Sequence, residues 1–190
     1  MSKTIFSFLF LLISFFGQSQ EKQILLPESK ISEIKNFVKG SKYNQEIAFF
    51  INFKVSSGKY RFFIYDLKNG KILEKGIVSH GSGSVVKNSD ELIFSNTENS
   101  YQSSLGKYEI ANSYIGTFGK SYRLKGLDKT NSNAMKRAIV LHSLDCVKDS
   151  ESENPACLSL GCPMLSPKFF ETASTYIYNS KKPILLYAFY

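Results

Sequence analysis

A mainly β domain with a few helices is the fold that these 190 residues predict, and three observations carry that prediction. Short apolar runs recur at 47–55, 60–66, 72–79, 107–111, 122–124, 138–142 and 183–189, each of strand rather than helix length. Clusters of Gly, Ser and Asn separate them, and one separator, Asn69-Gly70, is a strong hairpin signal. Aromatic residues make up 14% of the chain, as 16 Phe and 11 Tyr with no Trp, a usage that suits strands. The length fits one domain, and 43% hydrophobic with 21% charged residues excludes both a wholly disordered chain and a polytopic membrane protein.

Taken in chain order, Lys3, the apolar run 5–16 and then Gly17, Gln18 and Ser19 read as a secretory signal peptide over 1–19. The run has 12 residues, against about 20 needed to cross a bilayer, so no stable membrane span is expected after cleavage. An uncleaved membrane anchor or a buried helix is the competing reading. The expected location is the periplasm or cell envelope. Residues 20–45 form a helical lead-in, in which Pro27, Glu28 and Ser29 start a helix, Ile31, Ile34, Phe37 and Val38 give its apolar face, and Gly40 stops it. From 46 to 190 the chain is one domain. The runs 47–55, 60–66 and 72–79 make three antiparallel strands, and the stretch 80–104 reads as long loops. Strands resume at 107–111, 122–124 and 138–142. Ser166 and Pro167 then open a helix carrying Phe169, Phe170, Ala173, Tyr176 and Ile177, and 183–189 is a last strand.

A formal charge of +8 favours anionic partners. The Lys are scattered and no nucleic-acid-binding pattern is present, so no nucleic acid is expected; an anionic envelope polymer fits the charge. The three cysteines, Cys146, Cys157 and Cys162, meet oxidants outside the cytoplasm, and their odd number leaves one thiol over.

The distinctive stretch is Val140-Leu141-His142-Ser143 followed by Ser159-Leu160-Gly161-Cys162-Pro163. A His at the end of an apolar strand and a Cys in a small-residue turn are what a thiol nucleophile and its base require. A free thiol has a pKa near about 8.5, so an adjacent imidazole or a positive field must supply thiolate at neutral pH. Gly161 lets the backbone come close to a substrate carbonyl, and amides near Cys162 can hold the developing oxyanion. On chemistry alone, a structural disulfide with a core His stands beside this reading.

His142 followed by Ser159-x-Gly161-Cys162-Pro163 resembles the murein L,D-transpeptidase catalytic domain, the YkuD-like family, in the branch where Pro follows the Cys. Upstream, Val78-Ser79-His80-Gly81-Ser82-Gly83-Ser84, the stretch from Phe94-Ser95-Asn96 to Ser103-Ser104-Leu105-Gly106, and Arg137-Ala138-Ile139-Val140-Leu141-His142 carry the same resemblance, in order, over about 47–177. It implies a β-sandwich-like catalytic domain over 46–190 that acts on peptidoglycan stem peptides with no metal or organic cofactor. Cys162 would be the nucleophile and His142 the base, with Gly161, Ser159 and Ser143 in oxyanion or positioning roles. Carbapenem-type β-lactams would be covalent inhibitors, and the acceptor would be an amine or water.

Two positions depart from the family pattern. Ser143 stands where many members have Gly, and Met164 where many have Arg, so Arg123 and Arg137, with His80, are candidate substrate-binding residues. Cys146 and Cys157 are candidates for a disulfide beside the site; a Cys157–Cys162 bridge or a zinc site of His142 with the three cysteines are the alternatives. Asp145, Asp149, Glu151 and Glu153 read as a solvated loop. The rival to an enzyme is a non-catalytic cell-wall-binding or disulfide-stabilised module.

Overall fold

A computed structural model describes residues 25–190, so the signal-peptide assignment at 1–19 and the first part of the lead-in lie outside the described residues. Strands β1 (Ile47–Asn52), β2 (Phe62–Asp66) and β3 (Lys71–Gly76) form the expected antiparallel meander. They continue into β4 (Gly106–Gly116), β5 (Gly119–Gly126), β6 (Val140–Ser143), β7 (Met164–Leu165) and β8 (Leu185–Phe189). All eight belong to one sheet in the order β3-β2-β1-β8-β4-β5-β6-β7. The C-terminal strand lies mid-sheet, parallel to β1 and antiparallel to β4.

The apolar runs without alternation sit where the sheet is covered on both faces. On one face Phe49, Ile51, Phe62, Ile64, Leu186 and Ala188 join a core closed by Phe170 and Ala173 of helix α2 (Pro167–Asn179). On the other, Ala48, Phe50, Phe63, Tyr65, Leu185 and Tyr187 pack under helix α1 (Glu28–Val38). Helix α1 contributes Ile31, Ile34 and Val38, each worth roughly 1.5–3 kcal/mol of burial. Phe37, expected on that face, is half exposed and stacks at its border on Tyr43 at 5.9 Å. Lys107 ties helix to sheet through Glu33 at 2.9 Å and Asp128 at 3.0 Å.

Helix α2 starts as its sequence predicts. Ser166 caps it by accepting the Phe169 N–H at 3.2 Å, with Pro167 in the first turn. Strands β4 and β5 are longer than the runs 107–111 and 122–124, forming one hairpin with its tip at residues 117–118. Their outer parts carry solvent-facing polar residues such as Asn112, Ser113, Lys120 and Arg123, which interrupt the apolar runs. The expected strand 72–79 leaves the sheet after Gly76, and the Ser79 N–H instead reaches the Met164 carbonyl at 3.0 Å.

Candidate active site

The turn from 159 to 164 is fastened on both sides by neutral hydrogen bonds. Ser159 donates its N–H to the His80 carbonyl at 2.9 Å and accepts the Ser82 N–H at 2.7 Å. Ser79 Oγ accepts the Met164 N–H at 3.0 Å and lies 3.4 Å from the Cys162 carbonyl. Ser103 Oγ lies 3.4 Å from the Gly161 carbonyl. Gly161 has φ +114°, and a Cβ there would meet the Gln102 carbonyl oxygen at 2.8 Å, so conformation and space both demand glycine. Ser159 Oγ accepts the Gly161 N–H at 3.0 Å, which makes Ser159 the clasp of the turn. With the Gly161 amide engaged, the Cys162 N–H has no hydrogen-bond partner among the described residues and is the free donor beside the sulfur.

The Cys162 thiol is free and half-buried. Its sulfur accepts the Val140 N–H at 3.5 Å and lies 3.8 Å from the Ala138 carbonyl, which places it at the edge of β6. Burial pushes the thiol up from its ordinary value, while the Val140 N–H and the Arg137 charge pull it back.

His142 is set by strand alternation. Leu141 pairs with Tyr122 in the core, so His142, opposite Ser121, rises from the other face of β6 together with Val140 and its partner Arg123. Phe118, from the β4–β5 tip, stacks on the imidazole at 4.6 Å and buries it. His142 Nδ1 is 3.1 Å from the Ser143 carbonyl, which fixes the proton there and leaves Nε2 as the basic nitrogen. Burial lowers its pKa, against the Ser143 carbonyl, so the ring is neutral near pH 7. Cys162 Sγ lies against the 138–140 end of β6 and packs on the core that holds Leu141, whereas His142 rises from the other face, and no hydrogen bond joins the two. The sulfur touches residues 138 and 140, and two strand residues span about 7 Å.

The remaining candidates divide. Arg137 faces the thiol electrostatically and holds the 95–104 loops, donating to the Ser95 and Gln102 carbonyls and to Ser104 Oγ. Arg123 is exposed on the open face, with its guanidinium over the Tyr114 ring at 4.4 Å. Ser143 supplies the carbonyl for His142 and borders a cavity of about 560 Å³ with Phe118, Lys120 and α2. Met164, where the family Arg would stand, is buried with Ile77 and Val147. His80 is buried against Arg61. The sequence signal for Arg61 was a lone cation within an apolar run; for Phe118 there was none, because its contact depends on a hairpin whose extent the runs did not reveal.

Cys146 and Cys157 form a disulfide with Cα atoms 6.0 Å apart. Their loop is pinned to the segment before β2. The Tyr60 N–H donates to Glu151 at 2.7 Å, Lys59 pairs with Glu153 at 2.6 Å, and Ser152 N–H reaches the Gly58 carbonyl at 2.9 Å. Of the four acids expected to be merely solvated, Glu151 holds the loop to the Tyr60 amide and Glu153 adds a largely exposed ion pair. Among the described residues, no group of three or more His, Cys, Asp or Glu is placed to hold a metal ion.

A free thiol thus sits in a glycine turn at the edge of the strand that carries His142. Residues 18–189 match the family model of the L,D-transpeptidase catalytic domain, and the chain belongs to that family. Among solved structures it is similar to the helical cell shape determining protein Pgp2 (K307A mutant) from Campylobacter jejuni, at 12% identity and TM-score 0.48, covering 77% of this chain and 48% of that one. It is similar to an L,D-transpeptidase from Mycobacterium smegmatis, at 13% identity and TM-score 0.44, covering 76% and 59%. A third likeness is to LD transpeptidase LdtMt1 in complex with imipenem, at 12% identity and TM-score 0.42, covering 76% and 59%. The chain thus spans about half to three fifths of the length of these solved chains. No curated protein sequence matches it.

Proposed function

We propose that this is an exported cysteine acyltransferase that acts on peptidoglycan stem peptides, with Cys162 as nucleophile and His142 as base. The observation that carries the reading is the free Cys162 thiol, with its own amide unpartnered, at the edge of the strand that carries a neutral His142 whose Nδ1 is tied down. Cys162 Sγ attacks the carbonyl of the third stem residue, and its proton passes to His142 Nε2. The sulfur–carbon bond forms, the oxyanion accepts from the Cys162 N–H, and collapse breaks the peptide bond to the terminal D-amino acid, whose nitrogen takes the proton from His142. An amine, as a transpeptidase acceptor, or water, as in a carboxypeptidase, then gives its proton to His142 and displaces the thiolate, which takes that proton back to restore the resting thiol and neutral imidazole. Because the resting thiol faces backbone rather than the ring, the first proton transfer takes a rotation of the Cys162 side chain or one intervening water. Export is supported by the 1–19 pattern and by the Cys146–Cys157 disulfide, a bond of oxidising compartments.

Turnover of a tetrapeptide stem, followed by release of its terminal D-amino acid with and without a second stem, tests the reading. The wild type should release it, and Cys162→Ala and His142→Ala should not, while all three melt as folded proteins. A folded wild type that binds stems without releasing the amino acid would instead be a wall-binding module.

A further inference from the structure

His80, from the segment that pairs with Ser159 of the thiol turn, lines a cavity of about 580 Å³ together with Phe53, Val55, Arg61 and Leu158. Arg61 is 1% exposed, yet among the described residues it has no carboxylate partner. Its Nε donates to the Val78 carbonyl at 2.9 Å, Nη1 to the Val55 carbonyl at 3.1 Å, and Nη2 to His80 Nδ1 at 2.9 Å. Its guanidinium carbon lies 5.1 Å from the centre of the Phe53 ring. All of these partners are neutral. A guanidinium carries five N–H bonds, so two are left over. A buried charge in this state is costly unless an anion completes it.

His80 adds a donor of defined direction. Because Nδ1 accepts from Arg61, the ring proton belongs on Nε2, which has no protein partner among the described residues. Burial and the neighbouring Arg61 charge push the His80 pKa down to about 4, so the ring is neutral at pH 7 and keeps this tautomer. Lys54, Asp90 and Glu91 also line the cavity, but all three are exposed and water screens them. The buried field is that of Arg61.

We propose that Arg61 and His80 form a carboxylate-binding site, the place where a free carboxylate of the peptide substrate docks while its scissile carbonyl lies at Cys162. The proposal rests on the acyltransferase reading for its ligand but not for its anion chemistry. The two sites are mechanically joined: the His80 carbonyl holds the Ser159 N–H at 2.9 Å, and Ser79 Oγ bonds the Met164 N–H at 3.0 Å. Two carboxylates of a stem peptide offer the same chemistry, that of the C-terminal D-amino acid and that of the diamino acid side chain.

The anion site is tested first with sodium acetate, against acetamide as the uncharged isostere, by following the His80 Nε2–H and ring resonances in the full chain. Acetate should shift them saturably and acetamide should not, and Arg61→Met should abolish the response. Equal responses to both probes, or none to acetate, overturn the proposal whether or not the protein turns over peptide. The substrate arm compares KM for the free tetrapeptide with KM for peptides amidated at one carboxylate or the other. Amidating the recognised group should raise KM about tenfold or more, the usual worth of a charge-assisted hydrogen bond. In Arg61→Met, and in His80→Asn, which keeps an acceptor for Arg61 but lacks Nε2–H, that penalty should shrink. Alkylation of Cys162 by neutral iodoacetamide should stay within about twofold, showing an intact thiol turn. An amidation penalty undiminished in Arg61→Met would also contradict the proposal.

Discussion

At Cys162, burial raises the thiol pKa, and the Val140 N–H and Arg137 charge partly offset it. The sign of the pH dependence follows. The neutral thiol is the resting form at pH 7, and reactivity climbs as pH rises through a value above that of an ordinary cysteine. Removing the Arg137 charge takes away a factor favouring thiolate, so the profile should move further towards alkali in Arg137→Gln and less in Arg137→Lys. The rate of iodoacetamide alkylation against pH measures this; an unchanged midpoint in Arg137→Gln would contradict the assigned role. Cys162 and His142 as candidates, and the glycine that the turn requires, were legible in the sequence because their signals are local to short motifs. Arg61 and Phe118 were not. One is a lone cation in an apolar run, a signal that names no partner, and the other reaches His142 only through a long hairpin.

Among the elements, α2 was legible down to its cap, since Ser166, Pro167 and the spacing of Phe170 and Ala173 are local signals. The Ser166 hydroxyl accepts the Phe169 N–H and also bonds Asp149, so it joins the helix start to the disulfide loop. Ser166→Ala should therefore cost about 1 kcal/mol, lowering Tm by about 2–4 °C in a domain of this size. Calorimetry checks this, and a Tm within error of the wild type would mean that the cap carries no net stability. The β4–β5 hairpin was only half legible. Where both faces are buried the apolar signal is continuous, but the outer part of this hairpin has residues such as Lys120 and Arg123 facing water. Strand β7, with two residues, is too short for any periodicity.

Across the whole molecule, one sheet with a covered core on each face carries the candidate site, whose parts come from 79–82, 118, 137–143 and 159–164, and Arg61 of the proposed carboxylate site. The mainly β character was legible, but the position of β8 between β1 and β4 was not, because strand order is a long-range outcome and not a local pattern. The Cys146–Cys157 bridge closes a short loop docked on the segment before β2. Replacing both cysteines with Ser should cost about 3 kcal/mol, the entropy of freeing such a loop, and should lower the denaturation midpoint. Stem turnover should survive where the fold does; an increase in turnover under mild reductant would indicate that the bridge restrains the site. The central claim, that Cys162 is an acylatable nucleophile, is tested most directly by intact-protein mass spectrometry after incubation with a carbapenem. The account predicts one adduct of the drug's mass, mapped to the peptide containing Cys162 and absent from Cys162→Ala; a folded wild type with a titratable thiol and no adduct, or an adduct on another residue, would contradict it.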